Sequence, residues 1–150
     1  MKKNSGFTII ELLVVIAIIG ILSSVVINSV AKSREKAHDG AAKADLSGVR
    51  SEATLYFDEN NFSYGSAGTA CNTAGSVFDP LAQNNINAMA VAAGTVVTGS
   101  ATCANSTTDY VVSVPLQGGG NWCVDSNGYA NTTALDLTGP GSLTEKIACQ

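Results

Sequence analysis

The first 60 residues of this chain contain neither cysteine nor proline, and the whole chain contains one histidine. A stretch of that length without proline has nothing to break a helix, and without cysteine it has no covalent staple. The single histidine, His38, excludes multi-histidine metal sites and a conventional array of titrating groups. Charge is scarce too, at 13% against 45% hydrophobic residues, which argues against disorder. Beyond residue 60 the only basic residue is Lys146, and the net charge is −4, so no basic footprint points to nucleic acid. With 150 residues the chain has room for one ordinary domain but not for two.

What is present is unevenly spread. All four cysteines, all three prolines and 11 of the 15 glycines follow residue 60. The front therefore reads as continuous helix and the back as loop-rich and turn-rich. After a polar leader, Met1-Lys2-Lys3-Asn4-Ser5-Gly6, the apolar run starts at Phe7, and 20 residues from Leu12 to Ala31 carry no charge. At 1.5 Å per residue such a helix is about 30 Å long, enough to span a bilayer core. Past Ala31 the charge returns, but Ala42, Leu46, Val49, Ala53 and Tyr56 keep helical spacing on one face until Asn60-Asn61. Asp39 and Lys43, four residues apart, read as an ion pair on this helix.

The expected class is α+β. A long N-terminal helical spine, half apolar and half amphipathic, packs on a small antiparallel sheet with a short second helix. The boundaries expected are a leader at 1–6, a transmembrane or filament-core helix at 7–31, its amphipathic half at 32–60 and a disulfide-braced globular head at 61–150. Within the head, Asp79-Pro80 reads as a helix start and Gly94 as its stop, with Ala82, Ile86, Met89, Ala90 and Ala93 between them at helical spacing. The stretch Gly94–Thr108 reads as loop. Tyr110–Val114, Trp122–Val124 and Tyr129-Ala130 read as a meander turned by Asn127-Gly128, with Leu135-Asp136-Leu137 as a candidate fourth strand. That sheet is the cover for the helix stripe.

The segment Gly6-Phe7-Thr8-Ile9-Ile10-Glu11-Leu12 resembles the processing site of type IV prepilins. That family has a short basic leader ending in Gly, then Phe, then Glu at the fifth position after the cut, inside an apolar helix. The close resemblance covers about the first 35 residues. It implies cleavage between Gly6 and Phe7 and N-methylation of Phe7. Independently, a carboxylate inside an apolar span is costly and reads as functional. Once Phe7 carries a free amine, that ammonium lies one helical turn from Glu11 and can pair with it, within a subunit or between neighbours. The resemblance implies the neighbour pairing, with Glu11 setting the register of assembly. It also implies other copies of the chain, a prepilin peptidase and methylase, and an inner-membrane assembly platform with its ATPase as partners. Many type IV pilins have a proline midway along the apolar segment, and this chain has Asn28 in that neighbourhood.

The expected function is a structural subunit of a pilus-like filament. It is held in the cytoplasmic membrane as a precursor, with its N-terminus inside and its head outside, and is not an enzyme. The alternatives are a pseudopilin of a type II secretion or DNA-uptake system, and a membrane-anchored periplasmic binding module that never polymerises. An ordinary secretory signal, with Ser29-Val30-Ala31 as its cleavage site, is the rival for the N-terminus.

Cys71, Cys103, Cys123 and Cys149 read as two disulfides with three possible connectivities, and Cys71–Cys103 with Cys123–Cys149 is favoured because sequence neighbours meet most easily. No C-x₂-C pair suggests zinc, and no metal or cofactor is expected. Asp125-Ser126-Asn127-Gly128 reads as a turn with only a faint likeness to a calcium loop. Asn105-Ser106-Thr107 and Asn131-Thr132-Thr133 match the glycosylation acceptor pattern. Lys32, Arg34 and Lys36 read as a polar collar of the span or as a contact for anionic headgroups.

Overall fold

A computed structural model describes residues 6–82, 86–97, 99–132 and 149. The chain divides into two compact units, one up to Glu35 and one from Lys36 onward. Helix α1, Ile9–Glu59, runs for 51 residues and contributes to both. Its end is closed by a left-handed cap. Asn61 and Phe62 have φ of 56° and 58°, and the Phe62 N–H donates to the Phe57 carbonyl at 2.9 Å. Asn tolerates this conformation better than most residues, and the accompanying apolar contact is the edge-to-face pair Phe57–Phe62, with ring centroids 5.7 Å apart.

In the unit that begins at Lys36, the stripe Ala42, Leu46, Val49 and Ala53 is wholly buried. It shares one core with Val77, Phe78 and Ile86, and with Tyr110, Val112 and Val114 of the sheet. Each large apolar side chain so buried contributes about 1.5–3 kcal/mol. The sheet has four antiparallel strands in the order β1-β2-β3-β4: Thr102–Asn105, Tyr110–Pro115, Asn121–Asp125 and Ala130–Asn131. Tyr110, Val112 and Val114 alternate into the main core, and burial raises the Tyr110 hydroxyl well above its usual range. Val111 on the other face packs with Ala104, Cys123 and Cys149, so β2 is buried on both sides.

Three expectations need correcting. The stretch 102–105 is strand, not loop. The run Thr-Cys-Ala-Asn has almost no β-branched signal, and long-range partners hold it in place. Cys103 lies opposite Val112 and is bonded to Cys71, while Asn105 pairs with Tyr110 and exchanges backbone bonds with Gly68. The second helix, α2, is Ile86–Val96, later than expected at both ends. Asp79 caps a turn instead of a helix, accepting from the Leu81 N–H at 2.8 Å and the Gly75 N–H at 2.7 Å, bonds that lower its pKa. Gly94 lies inside α2 because the chain returns against it: a β-carbon there would stand 2.8 Å from the Ala101 nitrogen. Finally, Asp39 does not pair with Lys43. Its two oxygens accept the N–H groups of Gln117 and Gly118 in the β2–β3 loop, at 2.7 and 3.1 Å, and the Lys43 ammonium lies 4.7 Å above the Trp122 ring. The proposed strand Leu135-Asp136-Leu137 lies outside the described residues.

Two disulfides brace this unit, Cys71–Cys103 and Cys123–Cys149, and close loops of 32 and 26 residues. Cross-links over loops of that size contribute roughly 3–4 kcal/mol each through the unfolded chain. Fully buried Asp125 ties down the same corner. One oxygen accepts from Asn127 and Tyr129 N–H, at 3.0 and 2.9 Å, and the other from Cys149 N–H, at 2.9 Å.

Candidate functional site

The N-terminal segment folds as its residue types dictate. Gly6, Phe7 and Thr8 precede the helix in an irregular, exposed stretch, and Phe7 is 78% exposed. The Gly6–Phe7 bond therefore lies outside the helix and open to another molecule. Gly6 has no neighbour within 4 Å of where a β-carbon would stand, and its backbone is not left-handed. Among the described residues nothing requires glycine there, as is also true of Gly20 and Gly40.

Thr8 is the N-cap, and Glu11 is the third residue of the helix. The Thr8 Oγ1 accepts from the Glu11 N–H at 3.3 Å, and the Glu11 Oε2 accepts from the Thr8 N–H and hydroxyl, both at 2.8 Å. This is a reciprocal capping box, which satisfies two helix-end donors at once. The first carbonyl of the helix, that of Thr8, receives the Leu12 N–H at 3.4 Å. Glu11 is thus already held by its own chain through one oxygen. Its Oε1 takes no hydrogen bond among the described residues. Thr8 is the residue that reading for charge overlooks. Its signal is the T-x-x-E spacing opening an apolar run, which stands plainly in the sequence.

Downstream, the apolar side chains of α1 find no cover. Ile9 is 80% exposed, and Ile10, Leu12, Ile18, Leu22 and Val26 are all more than half exposed. Over this stretch α1 is long and apolar enough to cross a membrane, and none of its most apolar window is buried within the chain. A continuous apolar surface of this extent belongs against lipid or against other chains. Ser24, Asn28 and Ser33 turn their polar atoms back onto the carbonyls of Ile21, Ser24 and Ser29, so their polarity is absorbed by the helix itself.

The other candidates are placed as follows. Asn105 is fully buried, and its Nδ2 donates to the carbonyls of Tyr64, Ser66 and Ser106, which removes it as a glycosylation acceptor. Asp125 faces three N–H donors, an arrangement that opposes a cation. Among the described residues no cluster of three or more metal-ligating side chains occurs. His38 is exposed.

Comparison with known proteins bears on the same segment. A family described as "Prokaryotic N-terminal methylation motif" matches residues 1–27. The chain carries a prepilin-type methylation motif. Over about its first 60 residues it is distantly similar to type IV pilins and to core protein G of type II secretion systems. It is 41% identical over 61 residues to the type IV wide pilus major component PilA4 of Thermus thermophilus, covering 41% of this chain and 47% of that protein. It is 37% identical over 60 residues to the type II secretion system core protein G of Aeromonas hydrophila, covering 40% of this chain and 42% of that protein. With the Escherichia coli core protein G the identity is 31% over 83 residues, covering 55% of this chain and 57% of that protein. The matched part thus spans about half the length of these relatives. No solved structure matches this one.

Proposed function

We propose that this chain is a structural subunit of a type IV pilus-like filament, processed after Gly6 and polymerised through the apolar part of α1. The observation that carries the reading is a lone carboxylate, Glu11, at the start of α1, in a segment that is otherwise uncharged and uncovered as far as Ala31. In this reading residues 1–6 are a leader, 7–31 the membrane and filament-core helix, 32–60 its amphipathic continuation and 61–150 the globular head. The precursor sits once through the cytoplasmic membrane with its N-terminus inside and its head outside, a reading that the two disulfides support, since such bonds persist in an oxidising compartment.

Cleavage frees a positive amine on Phe7, and N-methylation of that amine keeps its charge. The capping box survives the cut, because it uses the Thr8 amide and not that of Phe7. The Glu11 Oε2 stays with Thr8 while Oε1 receives the ammonium of an adjoining subunit, which sets the stagger between copies. Burying the apolar helices against one another then replaces lipid contact.

The second reading, a pseudopilin giving a short periplasmic filament, is favoured by the relatives named core protein G. One experiment addresses both. Surface fibres are sheared, imaged by electron microscopy, and their main component is sequenced from its N-terminus. This chain, starting at Phe7 in long fibres, supports the pilin. Its absence from surface fibres, with a mature chain still starting at Phe7, supports the pseudopilin. A mature chain starting at Lys32 overturns both readings.

A further inference from the structure

We infer that Asn127-Gly128, in the turn between β3 and β4, is a site of spontaneous covalent modification. There the asparagine closes on its own backbone to a succinimide, which water opens to aspartate or isoaspartate. Both residues are exposed, and theirs is the one Asn-Gly pair in the chain. Glycine leaves the attacking backbone nitrogen without the hindrance that a side chain on that residue would add. The turn cannot do without this glycine. Gly128 has φ of 92°, and a β-carbon there would stand 2.9 Å from the Arg50 Nη2. The geometry that closes the hairpin therefore also sets the least hindered nucleophile beside Asn127.

The hydrogen bonds of the turn hold the reacting groups least. Asp125 Oδ1 accepts from the N–H groups on either side, those of Asn127 and Tyr129, at 3.0 and 2.9 Å. The Gly128 N–H donates to the Asp125 carbonyl at 3.4 Å, a long and weak bond. The Asn127 carboxamide makes no hydrogen bond among the described residues, whereas those of Asn28, Asn87, Asn105 and Asn131 are all engaged. The related pair Asp39-Gly40 lies inside α1, and both Asp39 carboxylate oxygens are already bonded to loop amides.

In the reaction the Gly128 nitrogen gives up its proton and bonds to Asn127 Cγ. The Cγ–Nδ2 bond breaks, and ammonia leaves with that proton. Water then opens one of the two imide C–N bonds. Opening at the side-chain carbonyl restores the backbone with an aspartate, and opening at the main-chain carbonyl leaves an isoaspartate with one more carbon in the backbone. Either product places a new carboxylate beside Arg50, whose guanidinium has no hydrogen bond or ion pair among the described residues. The longer backbone of the isoaspartate also displaces the N–H groups that Asp125 accepts. Since the other Asp125 oxygen holds the Cys149 N–H, that product loosens the whole corner.

The test keeps the full chain folded in detergent at mildly alkaline pH, beside a reduced, guanidinium-unfolded sample, and maps peptides by mass over time. The folded chain gains about one mass unit at position 127, at a rate within about tenfold of the unfolded chain. Asn127→Gln gives no such gain, because its longer side chain closes a less favourable ring. The isoaspartate form, separated from the aged sample, melts roughly 2–4 °C below the Asn127→Asp variant. Stronger protection in the folded chain than about tenfold overturns the inference, since the turn would then shield Asn127. A mass gain confined to other asparagines overturns it as well. Purified chain gives the whole readout without any filament, so neither result bears on the filament reading.

Discussion

The two units of this chain meet the demands of burial in opposite ways. From Lys36 onward, α1 lays Ala42, Leu46, Val49 and Ala53 into a core shared with α2 and the sheet, and two disulfides hold the surrounding loops. Up to Glu35 the same helix is more apolar, yet its large side chains stay exposed. Apolar content therefore does not by itself predict burial within the chain. Periodicity does: the covered part carries a stripe, whereas the uncovered part is apolar on every side and has no face to prefer. A helix of the second kind calls for an environment that is apolar on every side. On the filament reading, lipid supplies it first and a bundle of identical helices later.

The largest effect expected from breaking this contrast is at Glu11. Glu11→Ala removes the one charge between Phe7 and Lys32 and makes the span more apolar, so insertion continues. Cleavage after Gly6 also continues, because the bond lies outside the helix and its recognition lies in the leader. Assembly fails, since each incoming ammonium is left buried without its carboxylate at a cost of about 3–5 kcal/mol per subunit. Counting filaments by electron microscopy in a strain with Glu11→Ala alone checks this. Normal number and length would show that the pairing does not operate.

A pair of truncations sharpens the comparison at intermediate size. Leu46 is fully buried, so Leu46→Ala costs about 2–5 kcal/mol and lowers the melting temperature of the folded unit. Ile18 is 52% exposed, and Ile18→Ala shifts that melting by less than about 0.5 kcal/mol. Thermal unfolding of both variants in detergent, followed by circular dichroism, reads the difference. Equal losses would mean that the apolar segment is buried after all.

How much of this is legible in the sequence depends on whether a feature is local. The helix stripe, the meander from Tyr110 to Ala130 and the closing Asn60-Asn61 all declare themselves through spacing or turn chemistry. Strand β1 does not, because Thr102–Asn105 becomes a strand through its partners and the Cys71 bond, not through its own composition. Asp79-Pro80 is a genuine capping signal, but the structure uses it for a turn, and α2, Ile86–Val96, packs Ile86 and Ala90 into the core. Asp39 looks like half of a helical ion pair because Lys43 is four residues on. Two loop amides 78 and 79 residues away outcompete that pairing, since they hold the carboxylate with two directed bonds. At the N-terminus the T-x-x-E signature was within reach. The charge of Glu11 points toward a cation, whereas its first partner is the neighbouring Thr8.

The smallest effect is at that threonine. Thr8→Ala removes the hydroxyl that donates to Oε2 and accepts from the Glu11 N–H, but leaves the Thr8 backbone N–H to hold the carboxylate. Losing an N-cap side chain costs about 1 kcal/mol, so amide exchange at Glu11 and Leu12 accelerates by roughly fivefold in detergent micelles. Melting of the unit from Lys36 onward does not change, because that unit folds around its own core, which begins at Ala42. Thr8→Ser keeps the hydroxyl and behaves as wild type in both measurements. Filaments fall in number with Thr8→Ala but are not abolished, because the Glu11 carboxylate keeps its charge and one of the two bonds it accepts from residue 8. Unchanged exchange at Glu11 and Leu12 would show that the box does not form in the mature chain. A loss of filaments as complete as in Glu11→Ala, with cleavage intact, would show that the hydroxyl is itself essential to the ammonium site.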